Sequence, residues 1–217
     1  MKTKLSAAVI LNLILFLLEL AGTVWMMSGV SEGSGAVLTA SRLQSFRYFT
    51  VDSNALMGIF ALIALGVQIR CGRTGAELPG WYYVMKLTGT VGVSLTMLVT
   101  VCFLAPTMGE QWLSLFVGSN FLFHLVNPLL SILIFLGFER GGKISVTATL
   151  IGIIPVVLYA LYYLINVLTH IENGQISHTY DWYGFLFLGI RTIPAGGLII
   201  CGGSWRIGLG LWRLNRG

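Results

Sequence analysis

The sequence predicts an all-α membrane protein: a single transmembrane domain over residues 1–217, built as a six-helix bundle with both termini in the cytoplasm. Three observations predict it. Of the residues, 56% are hydrophobic and 10% are charged, and mean hydropathy is +0.84. A soluble domain carries about 25% charged residues, and a water-soluble body of this size cannot hide so much apolar surface. The apolar residues fall into six runs, each long enough to cross a hydrocarbon core that takes about 20 helical residues. Finally, the basic residues collect in the gaps on one side.

The first run spans Leu5 to Ser28 behind Lys2 and Lys4. It has the flanks of a signal peptide, but it is longer than a signal core and Glu19 interrupts it, so an uncleaved first helix is expected. Gly29 to Ala40, rich in Gly and Ser, reads as a loop. The second run starts at Phe49 and ends before Arg70-Cys-Gly-Arg73. The third follows Trp81-Tyr-Tyr83 and ends at Pro106, with Lys86 placed to snorkel. The fourth covers Trp112 to Phe138 and stops at Glu139-Arg-Gly-Gly-Lys143. The fifth runs from Ile144 to Leu168 and the sixth from Tyr183 to Leu209. Gly89 and Gly92 are expected to mark close helix contacts. Lys2, Lys4, Arg70, Arg73, Lys86, Arg140, Lys143, Arg206, Arg213 and Arg216 then share one face, against Arg42 and Arg47 on the other. The positive-inside rule puts that face, and both termini, in the cytoplasm of a multi-pass cell-membrane protein.

Several functional classes find no support. The net charge is +5, but no basic patch is interleaved with aromatics, so no nucleic-acid partner is expected. Cys71, Cys102 and Cys201 are odd in number and far apart, which implies neither a disulfide framework nor zinc. There is no HExxH motif and no Walker loop, and neither a metal nor a cofactor is expected. No inverted repeat with paired broken helices speaks for a secondary transporter. Bilayer lipids are the expected surroundings.

The fourth run carries the polar signal. Asn120, His124, Asn127 and Ser131 recur at helical spacing, so an otherwise apolar helix has one polar stripe. Such a stripe either faces a site or joins helices by hydrogen bonds. A rise of about 1.5 Å per residue, counted from the inner charges, gives depths. Glu19 and Arg191 fall in the outer half, Thr50 and Asp52 at or just under the outer edge, Asn120 near it and His124 about 6 Å below. These groups imply a pocket opening outward. Glu19 or Asp52 is expected to pair with Arg191, as part of a site or as a packing ion pair. Asp52 also suits the first turn of helix two, and Asn54 suits packing or orienting a neighbour.

His124 is the one histidine placed within the bundle; His170 and His178 fall at or in an external loop. A threonine attacks a carbonyl only if a base takes its proton, and an imidazole, with a reference pKa of about 6.5, is such a base. Thr50 and His124 together would cleave an ester through an acyl-threonine. Against this, a threonine at a helix start is commonly a cap, and the depth count leaves His124 deeper than Thr50.

Phe46-Arg-Tyr-Phe-Thr50-Val-Asp-Ser-Asn54, followed two helices later by Phe123-His124-Leu-Val-Asn-Pro-Leu-Leu130, resembles the androgen-induced-gene family of multi-pass membrane hydrolases, in a bacterial branch. The resemblance implies an intramembrane threonine hydrolase with Thr50 as nucleophile and His124 as its partner. It also implies a lipid carboxylic ester as substrate, of the class of fatty acid esters of hydroxy fatty acids. Arg191 or Arg47 would hold a lipid carboxylate, and Asn54, Asn120, Asn127 or a tyrosine would serve the oxyanion. Two other readings stand beside it: a non-enzymatic protein that binds or transports a lipid or small molecule, and a structural or signalling subunit in which His124 joins a helix interface.

Overall fold

The computed structural model describes residues 2–30, 35–36, 39–141, 144–172, 175–177, 179–184, 189, 191 and 193–216. Helix α1 is Lys2–Met27 and α2 is Phe49–Thr74, preceded by a 3-10 turn at Arg42–Arg47. The third span, α3, is Gly80–Thr107; α4 is Ser119–Phe138 and α5 is Ala148–Thr169. A two-strand hairpin pairs β1 (Ile171–Glu172) with β2 (Gln175–Ile176), and α6 is Ile193–Arg216. The chain is thus all-α apart from that hairpin among the described residues. Helices α1 to α5 are each long and apolar enough to cross a membrane. The last helix, of 24 residues, carries Arg206, Arg213 and Arg216 and does not join them.

Helix α3 is the axis of the bundle, with every residue from Lys86 to Thr96 buried. Its small side chains explain why: a Cβ on Gly89 would lie 2.5 Å from Met57 Sδ, and one on Gly92 would lie 3.3 Å from Ser53 Cβ. Both expected close contacts are present, and both are made with α2. Two cores flank the axis. Leu15, Met57, Ala61, Val93 and Ile134 join α1, α2, α3 and α4. On the other side Leu87, Val91, Phe135, Ala148 and Leu211 join α3, α4, α5 and α6. Outward faces stay apolar, as with Ile10, Leu13, Leu17 and Val24 of α1 and Leu158, Leu161 and Ile165 of α5. Such a surface suits lipid rather than water.

Several expected boundaries move. Helix α2 runs past Arg70 and Arg73 and ends at Gly75, whose φ of 72° suits a left-handed cap. The fourth span starts at Ser119, not Trp112. Gly109–Phe116 is a 3-10 helix, and Gly118, at φ 64°, breaks the chain before α4. The fifth starts at Ala148 and is interrupted at Ile153, ahead of Pro155. Of the expected sixth run, 185–188, 190 and 192 lie outside the described residues. Tyr183 sits in a turn before them.

Candidate functional site

The predicted stripe of α4 faces inward along its length: Asn120, Asn127 and Ser131 are fully buried and His124 nearly so. The helix is irregular around the histidine. Pro128 has no N–H to give the carbonyl four residues back, that of His124, and the turn Leu122–Val126 ahead of it is a π-helix in which the Asn127 N–H bonds to Leu122 O. Such wide turns often accompany function. The His124 Nδ1–H donates to the Leu115 carbonyl at 2.6 Å, and the Phe116 ring stands edge-on 6.4 Å away. A carbonyl only accepts, so Nδ1 carries the proton. In the neutral ring the lone pair is therefore on Nε2.

Thr50 is the second residue of α2 and is buried. The N-cap is Tyr48, which removes the capping explanation for Thr50. The Tyr183 hydroxyl lies against the Thr50 side chain and the Tyr159 hydroxyl, and it accepts the Phe49 N–H at 2.9 Å. The Tyr183 ring is half-buried but its hydroxyl is desolvated, which pushes its pKa up to about 12. Its segment is held down by Asp181, whose carboxylate accepts from the Tyr163 hydroxyl. In the sequence Tyr183 marks only the start of the sixth run, and its spacing gives no sign of a partner 133 residues back at Thr50.

Among the described residues the Thr50 hydroxyl makes no hydrogen bond to the His124 ring. Asn54, fully buried, links their neighbourhoods: its Nδ2 donates to the Thr50 carbonyl at 2.8 Å and to that of Phe123, the residue before His124, at 3.4 Å. Asn127 Nδ2 donates to Glu19 Oε2 at 2.7 Å and to Asn54 Oδ1 at 3.3 Å. Glu19 is thus held by α4 and makes no ion pair with Arg191, which is exposed. Asp52 makes no ion pair with Arg191 either among the described residues. Asp52 is half-buried in the first turn of α2. With Phe49, Leu56, Leu158, Tyr159 and Tyr162 it lines a cleft of about 310 Å³ between α2 and α5.

Arg47 ends the 3-10 turn before α2. Its Nη2 donates to the Tyr48 hydroxyl at 2.5 Å, and its guanidinium lies 4.7 Å from the Tyr48 ring centre and 5.9 Å from that of Trp182. The Tyr159 hydroxyl donates to the Arg47 carbonyl at 2.6 Å, which ties this turn to α5.

A second buried polar centre was not foreseen. Lys86 does not snorkel; it is fully buried, and its Nζ donates to Asn12 Oδ1 at 2.7 Å and lies 3.8 Å from Glu139 Oε2. Glu139 Oε1 accepts from Asn12 Nδ2 at 2.7 Å, Gln68 Nε2 at 2.9 Å and the Tyr82 hydroxyl at 2.5 Å. Read as a boundary charge after α4, Glu139 is instead turned back into the bundle, where α1, α2 and α3 supply its donors. Among the described residues no three His, Cys, Asp or Glu side chains converge as metal ligands would. No protein family, curated protein or solved structure matches this chain.

Proposed function

We propose that the chain is an intramembrane hydrolase that crosses the cell membrane six times, with both termini cytoplasmic, and cleaves a lipid carboxylic ester with Thr50 as nucleophile and His124 as base. The observation that carries this reading is the pair of hydrogen bonds that Asn54 Nδ2 donates to the Thr50 and Phe123 carbonyls. One amide holds the backbone of the nucleophile and the backbone next to the base. The tautomer set by Leu115 leaves Nε2 to accept a proton.

In this mechanism Nε2 takes the Thr50 hydroxyl proton through one bridging water, and the oxygen attacks the ester carbonyl. The tetrahedral oxyanion receives a hydrogen bond from Tyr183, which lies beside Thr50. Collapse breaks the ester bond, and the leaving alcohol takes the proton from His124. Water, deprotonated by the same ring, then attacks the acyl-threonine, and as the acid leaves the ring returns that proton to the Thr50 oxygen. The cleft beside Asp52 gives an acyl chain a lateral path from the bilayer. The resemblance of the Thr50 and His124 blocks to the androgen-induced-gene family supports a fatty acid ester of a hydroxy fatty acid as the substrate.

A fluorophosphonate probe tests the assignment. Intact-protein and peptide mass spectrometry is expected to find the adduct on Thr50, and to lose it in Thr50→Ala and His124→Ala variants that elute as monodisperse protein. An adduct on another residue, or labelling unchanged in both variants, contradicts it. Retention of an intact lipid ester without any product would instead favour a binding or transport protein.

A further inference from the structure

Asp52 faces a cleft, whereas Glu19 and Glu139 are turned into the core. Its carboxylate makes no hydrogen bond and no ion pair among the described residues. Arg47, five residues before it, is turned to Tyr48 and Trp182 instead. A first-turn aspartate favours the helix dipole from any side of the helix. That role does not account for its place among aromatic rings on the side of α2 that meets α5. An ionisable group at membrane depth with no protein partner points to a ligand.

The lining of the cleft is graded. On α5, Pro155, Leu158, Tyr159 and Tyr162 stand at i, i+3, i+4 and i+7 and so share one face. On α2, Leu56 lies one turn deeper than Asp52. Because α2 and α5 are spans two and five, they run in opposite directions. Asp52 and the rings of Phe49, Tyr159 and Tyr162 therefore sit toward the end of the cleft at the start of α2, and Leu56, Pro155 and Leu158 deeper in it. The Phe49 and Tyr159 ring centres are 5.1 Å apart with planes at 54°, and those of Tyr159 and Tyr162 are 5.9 Å apart at 57°. These rings form angled walls, not a flat stack. The Tyr159 hydroxyl is already engaged, donating to the Arg47 carbonyl at 2.6 Å and accepting from Trp182 Nε1 at 3.2 Å. What Tyr159 offers the cleft is its ring.

A carboxylate flanked by aromatic rings attracts an organic cation, because the acid's charge and the negative ring faces act together. The same charge repels an anionic headgroup. The deeper end suits hydrocarbon. At about 310 Å³ the cleft is near the lower limit of ligand pockets, roughly 300 Å³, so it holds a headgroup and the start of one chain. Leu158 and Tyr162 are exposed at its mouth, which leaves the rest of the lipid in the bilayer.

We propose that the cleft between α2 and α5 is a binding site for a phospholipid with an ammonium headgroup. Asp52 is the counter-ion, Phe49, Tyr159 and Tyr162 wall the ammonium, and Leu56, Pro155 and Leu158 lie along the chain. This goes beyond the hydrolase reading, since binding requires no chemistry at Thr50. A substrate chain entering by the same cleft displaces this lipid.

The test is native mass spectrometry of the full chain, released from detergent after incubation with equal amounts of phosphatidylethanolamine, phosphatidylcholine and phosphatidylglycerol bearing the same acyl chains. All three bring phosphate and hydrocarbon, but only the first two bring an ammonium. Wild type is expected to retain one ammonium lipid, at least tenfold in preference to phosphatidylglycerol. Asp52→Asn, nearly isosteric, is expected to lose that preference. Tyr162→Leu, at the exposed mouth, is expected to weaken it and covers the case in which the Asp52 variant does not fold. Equal retention of the three lipids by wild type, or a preference unaltered in the folded variants, overturns the proposal. Choline chloride, an ammonium without chains, is expected to leave the bound lipid in place at equal concentration. Displacement by it would assign the site to a soluble amine and overturn the lipid assignment. Because retention is read without turnover, the outcome is independent of the roles given to Thr50 and His124.

Discussion

Asn127 Nδ2 donates to Glu19 Oε2 at 2.7 Å, so the helix that carries the histidine is tied to the first helix through a carboxylate with no cationic neighbour in bonding contact. Removing the amide in Asn127→Ala leaves that carboxyl without the one hydrogen-bond donor it has among the described residues. A buried polar group left unsatisfied costs about 1–3 kcal/mol, more when charged. The thermal midpoint in detergent is expected to drop accordingly, and an unchanged midpoint would show that Glu19 finds another donor.

The Lys86 and Glu139 pair makes a different prediction. Breaking a buried ion pair by removing one partner costs about 3–5 kcal/mol, because the other charge is stranded. Lys86→Met is therefore expected to be severely destabilised. The double variant Lys86→Met, Glu139→Gln should regain most of that loss, since the glutamine oxygen still accepts from Tyr82, Gln68 and Asn12. Chemical denaturation of the single and double variants measures the difference. Additive losses would mean that the two side chains are not coupled.

Gly58 sits where α1 crosses α2. A Cβ there would lie 2.9 Å from Glu19 Cβ, an atom fixed to backbone rather than the end of a flexible chain. Gly58→Ala must push the two helices apart, at about 1–3 kcal/mol for an overpacked core. Loss of folded yield or a lowered midpoint checks this, and wild-type stability would show that the crossing has slack.

Tyr183 gives a pH signature. Its phenol pKa is raised by burial from the ordinary value of 10 to about 12, so the folded state holds the proton more tightly than the unfolded chain. The stabilising contribution is complete below pH 10 and is lost as pH rises toward about 12. The stability difference between wild type and Tyr183→Phe is thus expected to be flat up to pH 10 and to shrink above it. A difference that does not change with pH would place the hydroxyl in water.

What the sequence made legible follows from periodicity. Asn120, His124, Asn127 and Ser131 share a face because their spacing is helical, and all four are buried. Gly89 and Gly92 marked the contact with α2 for the same local reason. The Lys86 centre was hidden because a charge in the first turns of a span normally reaches water. Only the three-dimensional meeting of Asn12, Gln68, Tyr82 and Glu139 reveals that this one does not. Tyr183 was invisible as a neighbour of Thr50 for a similar reason: a tyrosine at the start of an apolar run and a site residue look alike until the chain folds back. The expected partner for Arg191 failed because Glu19 is turned toward the Asn127 amide instead, while Arg191 is exposed.

The most direct test of the account is turnover by the purified chain on a panel of lipid esters, with acid and alcohol products counted by mass spectrometry. Wild type is expected to hydrolyse at least one ester. Thr50→Ala is expected to abolish turnover and His124→Ala to lower it by about 10²–10⁴-fold, the range of general-base catalysis, in protein that still folds. Hydrolysis that persists in a folded Thr50→Ala variant would contradict the assignment of the nucleophile.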